Sequence, residues 1–131
     1  MKVEMPLGDV VDRVTILELK LEHMRDPSAL QAVAKERNSL RQSWDDAGLP
    51  DMTSLDAWRP LCAVNAQLWE VEDRLRAHEQ EERFDDDFVE LARSVYKLND
   101  QRAALKRALS LSLGSSLVEQ KSYDTSGRNP L

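Results

Sequence analysis

Apolar residues in this chain recur at intervals of three and four, and no stretch shows the every-other-residue alternation of a strand. That periodicity confines the chain to helices that bury one stripe each. A first helix is expected from about Asp9 to Met24, following Pro6 and Gly8. Its seam is Val10, Val14, Leu17, Leu21 and Met24, while Ile16 and Leu19 lie on the opposite side. Such a helix is either central in a bundle or covered by a second copy of the chain through Ile16 and Leu19.

Punctuation divides the rest. Asp26 suits an N-cap and Pro27 the first helical position of a second helix, whose stripe is Leu30, Val33, Leu40 and Trp44. It is expected to end near Ala47-Gly48. A third helix carries Leu61, Val64, Leu68, Val71 and Leu75 and starts around Pro60, with Ser54 to Arg59 as a separate short turn. The acidic stretch EQEERFDDD separates helices three and four. Asp87-x-x-Glu90 predicts a capping box, and Gly114 a C′ residue after a helix reaching Leu113. The fold class expected is all-α, either a four-helix bundle or paired antiparallel helical hairpins, with a short irregular C-terminal segment. Residues 1–123 form one domain in this reading and 124–131 a flexible tail.

The chain has 131 residues, enough for one core without staples, with 41% apolar and 32% charged residues. A net charge of −6 argues against binding a nucleic-acid backbone, which requires a basic surface. Cys62 is the only cysteine, so no internal disulfide or cysteine zinc site is available. The N-terminal residues lack the apolar core of a signal peptide, and no apolar run approaches the length of a membrane span. A cytoplasmic protein without membrane contact is the expectation.

Helical wheels expose an oddity. On helix four the rhythm Phe88, Leu91, Val95, Leu98 continues to Arg102 before resuming at Leu105, and Asn99 and Lys106 flank that arginine. Helix two places Arg37 in its stripe with Arg41 beside it. Glu18 lies between Val11 and Met24 on helix one, and Asn65 and Glu72 border the Leu61–Leu68 stripe of helix three. An unpaired buried charge costs several kcal/mol, so these groups need partners or water. Two readings follow. In one, Arg102 and Arg37 pair with Glu18 and Glu72 and fix the helix register. In the other, Glu18, Arg37, Asn65, Glu72, Asn99, Arg102 and Lys106 line an interhelical pocket for an anionic or hydroxyl-rich ligand. Lys121-Ser122-Tyr123 then either folds back over the core or serves as a lid or partner contact near that pocket.

No metal or cofactor motif is complete. His23 and His78 lie outside any Glu-x-x-His repeat, Glu70-x-x-Asp73 lacks a second carboxylate pair, and there is no glycine-rich phosphate loop. Trp44, Trp58 and Trp69 suit core or interface anchors.

The stretches PLGDVVDRVTILELKLEHM, NAQLWEVEDRLRAHE and FVELARSVYKLNDQRAALKRALSLSLGSSLVEQKSY carry a resemblance. With Gly8-Asp9…Asp12, Leu68-Trp69-Glu70…Glu72-Asp73, Ala92-Arg93-Ser94…Asn99-Asp100 and Glu119-x-Lys121-Ser122-Tyr123, the chain resembles a family of small bacterial proteins classed as a domain of unknown function. The resemblance implies an all-helical domain, found alone or appended to larger proteins, sometimes in settings linked to surface glycans. It brings no established reaction. Gln120 departs from the acidic residue expected there. Helical chorismate mutases offer an architectural likeness only, since Arg37, Arg102, Lys106 and Glu18 or Glu72 could surround a dianion without sharing that family's spacing.

The expected function is therefore a non-catalytic helical binding or accessory module with a protein or glycan-related partner. The alternatives are an enzyme or sensor for a phosphorylated or carboxylated metabolite, and a purely structural dimerising bundle.

Overall fold

The structure is a computed structural model that describes residues 1–114. Lys121, Tyr123 and the expected tail 124–131 lie outside the described residues. Four α-helices follow one another: α1 (Leu7–His23), α2 (Pro27–Asp46), α3 (Trp58–Gln80) and α4 (Asp86–Ser112), with a short 3-10 helix at Met52–Ser54. No strand occurs among the described residues.

The helix ends follow local chemistry. Asp26 caps α2 by accepting from the Ala29 amide, and Pro27 occupies the first helical position, where its missing N–H costs nothing. Pro60 is the third residue of α3 and is tolerated because first-turn amides have no intrahelical acceptor. The start of α4 differs from expectation. Asp85, two residues before Asp87, accepts from the Phe88 amide at 3.1 Å, while Asp86 and Asp87 fall in the first turn and face the positive end of the helix dipole. Three adjacent aspartates offer three registers for a cap, and spacing to Glu90 favoured the wrong one.

Helices α3 and α4 form an antiparallel hairpin, and α1 packs against both. Helix α2 has α1 as its main helix neighbour, and at its C-terminal end Leu40 and Trp44 reach the core. The four polar faces therefore do not converge on one axis, as the wheels had suggested: α2 lies on the far side of α1. Because α1 is packed from three directions, Val11, Val14 and Leu17 are fully buried and Ile16 and Leu19 partly so. Burying each of the first three stabilises by about 1.5–3 kcal/mol.

The apolar interior falls into two clusters. Val11, Val14, Trp44, Met52, Leu61 and Leu109 form the larger, and Val64, Leu68 and Leu98 the smaller. Along α4, Arg102 lies between Leu98 and Leu109. Along α3, Asn65 lies between Leu61 and Leu68.

Candidate functional site

Helices α1 and α4 run antiparallel, so residues advancing along one meet residues receding along the other. The first meeting point is Gly8 with Ser110, two buried residues. The Gly8 amide is in the first turn of α1, where helix amides lack intrahelical acceptors, and Pro6 at the N-cap has no side-chain acceptor. Ser110 Oγ supplies one from α4, accepting the Gly8 N–H at 2.7 Å. The backbones come so close that a Cβ on residue 8 would collide with the Lys106 carbonyl and lie 2.8 Å from Ser110 Oγ. Glycine is required there for contact.

One turn on, Lys106 Nζ lies 3.1 Å from Asp9 Oδ1. That distance suits ion pairing, but the approach is not aligned as a hydrogen bond, and the buried Asp9 Oδ1 accepts none. The third meeting point is the strongest. Arg102 places Nε 2.9 Å from Asp12 Oδ1 and a terminal nitrogen 2.6 Å from Oδ2, a two-pronged fork on a carboxylate whose side chain is only 5% exposed. Asn65 Nδ2, from α3, donates to Asp12 Oδ1 and to Thr15 Oγ1, both at 2.8 Å. Thr15 Oγ1 donates in turn to the Asp12 carbonyl at 2.6 Å. Three helices are thus tied through Asp12.

The opposite side of α1 carries different charges. Glu18 meets Arg37 and Arg41 of α2, each at 3.4 Å, with side chains about a third exposed. Arg13 grips Glu36 with contacts of 2.6 and 2.9 Å. That hydrogen bond holds the Glu36 carboxyl below its ordinary value and raises Arg13.

The structure brings Asn65, Arg102 and Lys106 together on one side of α1, and Glu18 and Arg37 on the other. Asn99 is partly buried on α4, three residues before Arg102, and Glu72 is exposed on α3. The expected pairing of Arg102 with Glu18 or Glu72 is corrected: its partner is Asp12, because the α4 face of α1 carries Asp12 while Glu18 points toward α2. The pairing of Arg37 with Glu18 does form. Asp12, Thr15 and Ser110 were missed as contributors to this layer. Gly8-x-x-x-Asp12-x-x-Thr15 was the available signal, since that spacing puts a glycine, a carboxylate and a hydroxyl on one face, without a large side chain to hold a neighbouring helix away.

Chemically, this is a closed arrangement. The Asp12 carboxylate already accepts three hydrogen bonds. The partly buried Cys62 thiol is pushed up by burial, with Glu18 and Glu22 adding to the shift, which disfavours the thiolate a nucleophile needs. Among the described residues, no group of three or more His, Cys, Asp or Glu could hold a metal ion, and no helix is long and apolar enough to cross a membrane.

The model of a family described as "Family of unknown function (DUF6165)" matches residues 1–131. No curated protein and no solved structure matches the chain.

Proposed function

We propose, for a chain that belongs to the DUF6165 family of unknown function, that it is a non-catalytic helical module that binds a partner protein. One observation carries this reading: the polar groups at the α1–α4 contact are directed at one another. The Asp12 carboxylate is spanned by Arg102 and Asn65, so it is poorly placed to accept a substrate proton. Such a layer fixes which residues of α1, α3 and α4 stand side by side, a use of buried ion pairs that need not add stability. Recognition then falls to the outside of the bundle. On the α3–α4 hairpin, Phe84, Val89 and Tyr96 are exposed at 55%, 49% and 75%. Val89 and Tyr96 are seven residues apart on α4, hence on one face. The sequence resemblance, with its links to surface glycans, makes a component of surface-polysaccharide metabolism the partner class in this reading.

The test is a thermal-shift screen of phosphorylated and carboxylated metabolites and nucleotide sugars. Ligand at a hundred times its Kd adds about 2.7 kcal/mol to stability, well within detection. A flat result across these classes is expected. A saturable shift that disappears in a folded Arg102→Met protein would overturn the reading and favour the metabolite pocket.

A further inference from the structure

Helix α3 stops without a glycine. Its C-cap is Glu81, and the next residue, Glu82, has φ 52°, the left-handed region where side chains other than glycine are disfavoured. The comparable positions after α2 and α4 are Gly48 and Gly114, with φ 72° and 74°. The hydrogen bonds are those of a Schellman stop. The Arg83 amide donates to the His78 carbonyl at 2.9 Å, and the Glu82 amide to the Glu79 carbonyl at 3.1 Å. In that motif the residues at the positions of His78 and Arg83 commonly make an apolar contact. Here the contact is polar and titratable. The His78 ring is 7% exposed, and an Arg83 terminal nitrogen lies 2.8 Å from its Nε2.

The partners assign the proton. A guanidinium only donates, so His78 Nε2 must accept. The Arg74 carbonyl, 2.9 Å from Nδ1, only accepts, so Nδ1 must carry the hydrogen. Both contacts are satisfied together by the neutral ring alone. A proton added at Nε2 faces the Arg83 guanidinium and removes one of its acceptors, leaving Arg83 with Asp85 Oδ2 at 3.1 Å and Glu81 at 3.4 Å. An alternative partner is already near: Asp85 Oδ1 lies 3.7 Å from Nε2. That oxygen is also the N-cap of α4, accepting from the Phe88 amide. The charged groups facing the ring are therefore Arg83 from the turn and Asp85 from the start of α4. Glu81 lies 3.4 Å from Arg83, and α4 itself offers the Phe88 ring at 6.2 Å.

We infer that the α3–α4 turn is a proton-operated latch, closed when neutral His78 accepts from Arg83 and loosened when protonated His78 turns to Asp85. The strained Glu82 makes the latch sensitive, because the closed stop has no glycine to relieve it. Opening would rearrange Phe84 and Phe88, whose rings meet edge to face at 5.2 Å at the hairpin tip.

The experiment is a nitrogen-15 titration of the histidine rings and backbone amides from neutral pH to about pH 5, the span in which histidine changes charge. His23→Gln distinguishes the two histidines. At neutral pH the Nδ1–H form of His78 is expected. As His78 titrates, protection of the Glu82 and Arg83 amides from exchange should fall about fivefold, the order set by one net hydrogen bond. The Phe88 amide resonance should move as protonated His78 engages Asp85, and Asp85→Asn, which keeps an N-cap oxygen but removes the anionic partner, should suppress that movement. Glu82→Gly relieves the strain and should blunt the loss of protection. An Nε2–H ring at neutral pH, or turn amides whose protection ignores the His78 titration, would overturn the latch.

Discussion

Asp12 and Glu18 sit six residues apart on α1, and each meets arginine from another helix. Asp12 is buried and gripped by both prongs of Arg102, with Asn65 completing its shell. Glu18 is a third exposed and shared between Arg37 and Arg41 at 3.4 Å. The lesson is that one helix uses similar residues for two purposes, and solvent decides which. Toward α3 and α4 the Asp12 carboxylate is desolvated, so it depends on the partner provided, even though Arg102 itself is as exposed as Arg37. Toward α2 water substitutes readily, and loss of one partner is tolerated.

The same substitution on both sides gives the sharpest contrast. Arg102→Met strands a buried carboxylate and should destabilise by about 3–5 kcal/mol, whereas Arg37→Met should cost about 0.2–1 kcal/mol. Urea unfolding of both variants measures the difference. Replacing Asp12 by leucine in the Arg102→Met background should recover most of the loss, because the stranded charge goes with it. Equal losses for the two single variants would erase the distinction between the faces.

Next in size is Gly8→Ala. A methyl group there must separate α1 from the α4 backbone, costing about 1–3 kcal/mol as overpacking does, rather than giving alanine's usual gain in a helix. Ser110→Ala should cost about 1 kcal/mol in thermal melts by leaving the Gly8 amide without its acceptor. The smallest effect belongs to the α2 side. A double-mutant cycle on Arg13 and Glu36, both roughly 40% exposed, should give about 0.2–1 kcal/mol near neutral pH. Since Glu36 titrates lower in the folded protein, this contribution is present above the ordinary glutamate value. It is lost as pH falls through the lower folded value.

The sequence made the helices legible because their ends carry local chemistry: Asp26-Pro27 and Gly114 need no knowledge of the rest of the fold. Arg102 was legible as a problem, since its place in a leucine stripe follows from periodicity alone. Its solution was not legible. Asp12 adjoins Val11 on a helix packed from three directions, so no single apolar stripe marked it as interior. The sidedness of α2 was equally hidden, because Leu30, Val33 and Leu40 show that a face is buried without saying against which helix. Ser110 was obscured for another reason: the hydroxyl caps an amide 102 residues away, and capping signals read from sequence are local.

That distance bears on the order of assembly. During synthesis α1 is made well before α4, yet a domain generally folds as a unit. Here the first turn of α1 is finished by Ser110, and its Asp12 is neutralised by Arg102. Closing a contact across 102 residues makes the step costly in chain entropy and slow relative to hairpin formation within α3–α4. The α4-facing side of α1 should therefore be among the last surfaces to become protected as the chain leaves the ribosome, closing on a hairpin already made.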